Sequence, residues 1–219
     1  MINSFYYSLF LELFWEFALQ ISQTHIFVAL FFKMLEEIKT CLSVLEAGGL
    51  ILYPTDTVWG IGCDATNEEA VKKVYALKER ANSKALICLV STDAMLERYV
   101  RHVPEVAYDI LDLATKPTTI VYDEPIGVAK NLVAEDNTLA IRVASDQFCQ
   151  YLINRFKKPL VSTSANISGH PTPNSFKEIN SDILKGVDYV VNLERAQTKS
   201  TPSTIIQLRN DGIVKVIRE

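Results

Sequence analysis

Short apolar runs that alternate with helical patterns constrain the fold of this chain more than any other feature. Strand-like runs occur at Leu50–Tyr53 and Ala85–Val90, with helical spacing between them. Later strand-like runs follow one another more closely, at Thr119–Tyr122, Leu139–Val143, Leu160–Thr163, Tyr189–Leu193, Thr204–Leu208 and Ile213–Ile217. This order predicts a single-domain α/β fold with a twisted sheet and flanking helices. The sheet is expected to be mixed and not purely parallel.

Capping residues predict where several helices begin. Asn67 precedes two glutamates, which the positive end of a helix dipole favours, so a helix is expected to start there. Ser91 or Thr92 is expected to cap the next helix. Two more helices are predicted at Pro104–Ala114 and Gln147–Phe156. The stretch from Thr55 to Thr66, rich in Thr, Gly and Asp, is predicted to be a loop.

Residues 1–33 differ from the rest, so the folded domain is predicted to cover residues 34–219. The stretch from Met1 to Phe32 contains no Lys or Arg, and Glu12 and Glu16 interrupt its apolar run. A secretion signal needs a basic start, and a membrane span needs about 20 predominantly apolar residues. We favour a start site assigned too far upstream, with Met34 as the true start. An apolar helix docked on the domain and a membrane anchor are the alternatives.

Charge and cysteine usage narrow the classes of function. The formal net charge of −4 gives no global basic surface for nucleic acid, although a local basic site is compatible with it. The four cysteines form no C-x-x-C pair and the three histidines are scattered, so we expect no metal-ligating residues. A chain of 219 residues does not need disulfides, which favours a reducing, cytoplasmic location.

Two nucleotide-binding motifs are excluded or disfavoured. Gly60–Ala65 matches the dinucleotide pattern G-x-G-x-x-A, but that pattern needs its first glycine directly after a strand. Six residues, Pro54–Trp59, separate the predicted strand from Gly60. No G-x-x-x-x-G-K-[ST] sequence is present, so a P-loop is excluded.

Two polar groups form the candidate site. A basic group lies at the end of the second helix and in the loop after it, at Lys78, Arg80 and Lys84. Small polar residues follow a buried strand, at Ser162, Thr163, Ser164 and Asn166. Together they would suit a polyphosphate, since cations neutralise it and hydroxyls orient it. By residue type alone, the first group also fits a solvated helix end, and the second a turn that bonds to its own backbone.

Arg142 lies inside an apolar strand and therefore needs a partner. A carboxylate ligand is one possible partner, because a guanidinium binds carboxylates in a bidentate manner. An internal Asp or Glu is an equally physical alternative.

Four motifs in the same order resemble the YrdC-like threonylcarbamoyl-AMP synthases. They are the loop Tyr53–Asp64, the K-x-R of Lys78–Arg80, the S-x-N of Ser164–Asn166 and the late P-S-T strand within Thr201–Ile206. Arg142 fits the strand arginine of that family, and the match runs from about residue 36 to residue 218. No part of residues 1–33 matches.

The resemblance implies a twisted α/β fold with an open basin and a nucleotidyltransferase activity. The implied enzyme makes L-threonylcarbamoyladenylate and pyrophosphate from ATP, bicarbonate and L-threonine, with Mg2+ accompanying ATP. The product serves a tRNA threonylcarbamoyltransferase complex that modifies adenosine next to the anticodon, and weak RNA binding is possible. The alternatives are an RNA-binding module of the same fold without adenylate synthesis, and a carbamoyltransferase-type domain.

The resemblance also implies roles for individual residues. Those on ATP are Lys78, Arg80, Lys84, Thr138, Ser164, Asn166 and Arg218, of which Lys78, Arg80, Ser164 and Asn166 are also implied to be catalytic. Those on threonine are Thr57, Arg142, Ser162 and Ser203. Two positions depart from the pattern: Leu89 stands where some members have a threonine-contacting His, and Ala144 replaces a proline.

Overall fold

The computed structural model describes residues 27–79, 86–198 and 201–219. The chain divides into two compact units, Met1–Glu37 and Ile38–Glu219. Helix α1 covers residues 27–46. Within the described residues, no helix has the length and apolar character needed to cross a bilayer. The predicted domain boundary at residue 34 stays a prediction.

A mixed sheet of nine strands, counted over the described residues, organises the second unit. Its order is β7-β1-β2-β6-β3-β5-β4-β8-β9. The pairs β1–β7, β3–β5 and β4–β8 are parallel, and the other neighbours are antiparallel, which confirms the predicted mixed sheet. The strands are β1 (Ile51–Tyr53), β2 (Gly60–Gly62), β3 (Ile87–Val90), β4 (Thr118–Asp123), β5 (Thr138–Val143), β6 (Leu160–Ser164), β7 (Tyr189–Val190), β8 (Thr204–Leu208) and β9 (Val214–Arg218).

The helices begin where capping residues place them. Asn67 caps α2, its side chain accepting from the backbone N–H groups of Glu69 and Ala70, as predicted. Of the two candidate caps for the next helix, Thr92 is the one used. The helices are α2 (Glu68–Leu77), α3 (Asp93–Leu96), α4 (Glu105–Leu113), α5 (Gln147–Phe156) and α6 (Ser181–Gly186), with short 3-10 turns at Lys130–Leu132 and Phe176–Glu178.

The predicted loop between Thr55 and Thr66 is wrong in its centre, where β2 pairs with β1 on one side and β6 on the other. Its Gly-Ile-Gly sequence carries no alternating pattern that could reveal a strand. A Cβ on Gly62 would come within 2.6 Å of the Tyr53 ring and 2.8 Å of the Val161 carbonyl oxygen, so the strands meet there without a side chain. The dinucleotide-type glycines thus lie in an antiparallel strand instead of at a strand-to-helix turn.

Side-chain alternation separates two faces of the sheet. On β4, Ile120 and Tyr122 point into the core and are almost completely buried, as is Leu208 of the neighbouring β8. Ala140 and Arg142 of β5 lie on the opposite face, which opens onto a cavity. The candidate site is built on this second face.

Candidate functional site

A cavity of about 380 Å3 lies over the open face of the sheet. It is bordered by the loop after β1, the end of β6, the segment before β8 and the end of β9. The described residues that line it are Thr55, Thr57, Val58, Gly60, Leu86, Ile87, Val121, Ala140, Arg142, Ser162, Thr163, Ser164, Thr172, Pro202, Ser203, Ile205, Ile217 and Arg218. This lining includes Arg142 and residues from three of the four motifs, namely the loop Tyr53–Asp64, the S-x-N and the P-S-T segment.

An apolar floor crosses the middle of the cavity. Ile87 of β3 lies opposite Ser162 of β6 and Ala140 of β5, and Ala140 in turn lies opposite Val121 of β4. Small and aliphatic side chains therefore form the centre, and the polar groups gather at the two ends of the strands. A ligand seated here would place its charged parts at the ends and its less polar part over the floor.

The first polar end is organised around Arg142, which is 4% exposed. Its NH2 group lies 2.9 Å from Asp56 Oδ1, and the two side chains are both buried. The contact is not a well-aligned hydrogen bond, and neither Asp56 Oδ1 nor Arg142 Nε has a hydrogen-bond partner among the described residues. An unpaired buried N–H group costs about 1–3 kcal/mol, and Arg142 lines the cavity with the small part of its side chain that is exposed.

The loop after β1 packs its threonine hydroxyls against this arginine. Thr55 Oγ1 accepts from Thr57 N at 3.1 Å and donates to Val58 O at 2.8 Å, which makes a tight turn. Thr57 Oγ1 lies 3.0 Å from Thr55 Oγ1 and accepts from Arg142 NH2 at 3.5 Å, a long hydrogen bond. The turn chemistry therefore places the Thr57 hydroxyl beside the guanidinium.

Ser203 and Arg218 complete the arginine end. The Ser203 hydroxyl is 2.8 Å from Thr119 Oγ1, and the Ser203 carbonyl accepts from Arg218 Nε at 3.1 Å and NH2 at 2.7 Å. Desolvation, and then the charge of Arg142, lower the pKa of Arg218 from its ordinary value. Within the described part of the chain Arg218 forms no ion pair, whereas Arg142 pairs with Asp56.

The second polar end is the turn that follows β6. Ser164 Oγ donates to Asn166 Oδ1, and the Asn166 amide donates to the Ile167 and His170 carbonyls at 3.1 and 2.7 Å. The Lys78 ammonium, 1% exposed, donates to the Ser164 carbonyl and, at 2.6 Å, to the Asn166 carbonyl. The turn thus bonds largely within itself, and a buried cation lies directly beneath it.

Burial keeps the phenol of Tyr53, which lies next to β6, in its protonated form. Tyr53 is enclosed, and desolvation raises the pKa of its phenol well above the ordinary value. Its neutral hydroxyl donates to the Val161 carbonyl at 3.4 Å. The tyrosine is therefore a structural support of β6, next to Ser162, and remains uncharged at physiological pH.

The distance between the two polar ends of the cavity follows from the number of β5 residues between them. Thr138, Ala140 and Arg142 share one face, and Thr138 lies four residues before Arg142. At about 3.3 Å per residue, their backbones are about 13 Å apart. Thr138 itself donates to Asp136 Oδ1 at 2.7 Å and is not among the described residues that line the cavity.

The structure brings together most of the predicted site residues. Those that line the cavity are Thr57, Arg142, Ser162, Ser164, Ser203 and Arg218. Lys78 supports the turn from below, and Asn166 lines an adjoining cavity of about 270 Å3 that shares Thr172 with the first. Arg218, assigned to the nucleotide, lies at the arginine end. The predictions for Arg80 and Lys84 fall outside the described residues.

Sequence reasoning did not assign Asp56, Thr172, Ile217 or the residues of the apolar floor to the site. The sequence left open whether a ligand or an internal carboxylate pairs with Arg142, and in the structure Asp56 pairs with it. The only sequence indication was that Asp56 lies in a polar loop. Thr172 and Ile217 carried no signal of their own, because a threonine in a loop and an isoleucine in a strand are ordinary residues. Leu89 is opposite Arg142 in the β3–β5 register, fully buried, and Ala144 donates its N–H to Val90 O at 2.9 Å.

The lining bears directly on whether the site could hold Mg2+. Among the described residues that line the cavity, none carries a carboxylate. Mg2+ prefers oxygen ligands and is often held by substrate phosphates and water with few protein groups. The residues present therefore fit a metal that arrives with a polyphosphate better than one held by the protein alone.

Comparisons with known proteins place this chain among related sequences. The family model Sua5/YciO/YrdC, described as "Telomere recombination", matches residues 43–219. A curated relative in Methanocaldococcus jannaschii is 36% identical over 186 residues, which are 83% of this chain and 86% of the relative. The protein named threonylcarbamoyl-AMP synthase in Pseudoalteromonas translucida is 34% identical over 181 residues, 81% of this chain and 96% of that protein.

A solved structure shows the same fold. P. abyssi Sua5 complexed with L-threonine matches with a TM-score of 0.70 and 27% sequence identity. The match covers 78% of this chain and 50% of the P. abyssi chain, so this chain spans about half the length of that structure.

Proposed function

The chain belongs to the Sua5/YciO/YrdC family, and we propose that it is a threonylcarbamoyl-AMP synthase that acts in the cavity over β3, β5, β4 and β8. The observation that carries the proposal is the largely buried guanidinium of Arg142, which lines the cavity together with the hydroxyls of Thr57 and Ser203. A guanidinium in this state suits a carboxylate, and amino acids carry one.

The substrates would occupy opposite ends of the cavity. The carboxylate of L-threonine would bind at Arg142, with its amine directed along the strands toward Ser164. The phosphates of ATP would lie near the turn of Ser164, with Lys78 supplying positive charge from beneath. The separation of about 13 Å between the Arg142 and Thr138 backbones leaves room for a small amino acid and one phosphate end to end.

The reaction follows from this placement in two steps. The threonine amine attacks the carbon of bicarbonate, and loss of water leaves an N-carboxylate. An oxygen of that carbamate attacks the α-phosphorus of ATP; the bond from the α-phosphorus to the bridging oxygen breaks, and pyrophosphate leaves. Phosphoryl-type transfer of this kind depends on positioning and charge neutralisation, so no covalent protein nucleophile is required.

Mg2+ would enter with ATP and neutralise charge on the phosphate oxygens. We propose that Arg80 and Lys84 also neutralise phosphate charge. The threonylcarbamoyl adenylate would then pass to a separate enzyme complex that modifies tRNA. The hydrophobic floor and the enclosing loops help to keep water from the mixed anhydride.

Pyrophosphate release tests the proposal. We expect release from ATP to require both L-threonine and bicarbonate, and mass spectrometry to detect threonylcarbamoyl adenylate. L-Serine and L-valine are matched controls, since each retains the carboxylate and amine but changes the side chain. Release that is independent of threonine would contradict the proposal. RNA binding with steep salt dependence and no pyrophosphate would instead indicate an RNA-binding module.

A further inference from the structure

Asp56 is the acidic group at the arginine end, and it does not line the cavity. Its side chain is 7% exposed and lies 2.9 Å from Arg142 NH2. Its second oxygen, Oδ2, accepts from Ser145 Oγ at 2.9 Å and from Ser145 N at 3.5 Å. Both carboxylate oxygens are therefore directed toward β5 and the residues that follow it, and neither is directed into the cavity.

These contacts tie the loop after β1 to the end of β5. Asp56 and Thr57 are consecutive, and both contact the NH2 group of Arg142. A backbone displacement of this loop would therefore move the arginine and the threonine hydroxyl together. The Ser145 contacts hold the carboxylate itself at a fixed place relative to β5.

The ion pair holds the guanidinium from outside the cavity. The NH2 group contacts Asp56 and Thr57, and the Nε group is buried without a hydrogen-bond partner among the described residues. Arg142 lines the cavity with the 4% of its surface that is exposed, and Asp56 does not line it. Asp56 therefore leaves the cavity side of the guanidinium to a ligand carboxylate.

Charge supports the same conclusion. Arg142 and Arg218 are close enough for the charge of Arg142 to lower the pKa of Arg218. Without an anion, two guanidiniums would repel each other in a partly desolvated space. Asp56 offsets one charge before any ligand arrives, so the site keeps a net positive character without forcing Arg142 away from its neighbour.

We propose that Asp56 is a positioning residue that holds the Arg142 guanidinium at the cavity, where it binds the carboxylate of the amino-acid substrate. The proposal rests on the proposed function, because it assumes that Arg142 binds threonine. Asp56 does not touch the substrate; its effect passes through Arg142. Replacing it should therefore weaken threonine binding far more than ATP binding.

Two variants separate orientation from charge. In Asp56→Ala the arginine loses both its counter-charge and its contact, and we expect the Kd and KM for threonine to rise at least about tenfold, since a displacement of about 1 Å can cost a hundredfold in rate. Asp56→Asn keeps an oxygen that can accept from NH2, so a smaller increase is expected. The KM for ATP should change less than about twofold in both variants.

Asp64→Ala is the matched control. Asp64 is also buried, forms an ion pair with Lys158 at 2.7 Å and accepts from Thr66 Oγ1 at 2.6 Å, and it does not line the cavity. Losing a buried acidic partner should lower the Tm of either protein by about 5 °C or more. The control should keep the KM for threonine of the unmodified protein, which separates positioning from general stability.

A double-mutant cycle decides whether Asp56 acts through Arg142. In the Arg142→Ala background, Asp56→Ala should not lower kcat/KM for threonine any further. A further decrease as large as that in the unmodified protein would overturn the proposal. So would unchanged threonine affinity in Asp56→Ala, or an equal rise of both KM values.

Calorimetric titration with L-threonine distinguishes failure of the positioning role from failure of the proposed function. If the unmodified protein neither binds threonine nor releases pyrophosphate, the proposed function fails. If the unmodified protein binds threonine and Asp56→Ala binds it equally well, the positioning role fails and the proposed function remains.

Discussion

The two polar ends of the cavity are built in opposite ways. At the turn after β6, Ser164, Asn166 and Lys78 are bonded to one another through side chains and carbonyls. At the other end, Arg142 is held on one edge by Asp56 and keeps a buried Nε group unpaired. At the first end the polar groups are bonded to one another over a buried cation, and at the second a largely buried guanidinium lines the cavity.

This difference shows which polar groups build the site and which ones can receive a ligand. A side chain whose donors and acceptors are already satisfied stabilises the backbone around it. A buried donor without a partner lowers the stability of the folded protein. By this criterion Lys78 and Asn166 first serve the shape of the turn, and Arg142 is oriented for recognition.

The largest effect is expected for Lys78→Met. Two backbone carbonyls lose their donor and the turn loses its cation, so the free energy of unfolding should fall by about 2–4 kcal/mol. The rate of pyrophosphate release should fall about a hundredfold, the scale for removing one preorganised electrostatic group. Denaturant unfolding and steady-state kinetics measure the two effects.

Lys73→Met is the control for this change. Lys73 also donates to a backbone carbonyl, that of Gly48 at 2.8 Å, but its position is away from the turn. It should retain nearly full activity. If Lys78→Met kept a normal rate and normal stability, the ammonium would not be what supports the turn.

The second effect, in order of size, is that of Arg142→Ala on the threonine end. Removing this partly paired arginine should raise the KM for threonine by about thirtyfold or more, corresponding to at least about 2 kcal/mol. The KM for ATP should stay within about twofold, since the nucleotide is proposed to bind at the turn. An equal rise in the KM for threonine and the KM for ATP would mean that the two substrates do not bind at separate ends of the cavity.

Arg209→Ala provides a comparison for the loss of an arginine as such. Arg209 pairs with Asp123 at 2.6 Å, is partly exposed, and is not among the described residues that line the cavity. Exposed pairs contribute little, so neither KM should move.

The sequence predicted the mixed sheet and most of its strands because alternation and apolar runs are local signals. Gln147–Phe156 and Thr204–Leu208 have the predicted bounds, and Asn67 and Thr92 cap helices as expected. It missed α6 (Ser181–Gly186), which is short, and Tyr189–Val190 is shorter than the predicted strand.

The contacts of the site were harder to predict than its residues. Asp56 and Arg142 are 86 positions apart, and Lys78 and Ser164 are also 86 positions apart. No local pattern links such pairs; the fold brings them together by placing β5 and β6 beside β3. The sequence therefore pointed to the side chains, but it left open that Lys78 would bond to carbonyls and that an internal carboxylate would meet Arg142.

The smallest predicted effect is that of Ser203→Ala. Its hydroxyl lines the threonine end of the cavity, and one neutral hydrogen bond to the substrate would be worth about 1 kcal/mol, so the KM for threonine should rise about fivefold. Ser91→Ala is the matched control, because that buried hydroxyl donates to Asn154 at 2.7 Å and does not line the cavity. An unchanged KM for threonine in Ser203→Ala would remove this residue from the threonine end.

A structure of this protein with L-threonine bound would test the division of the cavity most directly. We expect the threonine carboxylate within hydrogen-bond distance of the Arg142 guanidinium, with the amine directed along β5 toward Ser164. A threonine carboxylate at the turn, against Ser164 and above Lys78, with no contact to Arg142, would contradict it.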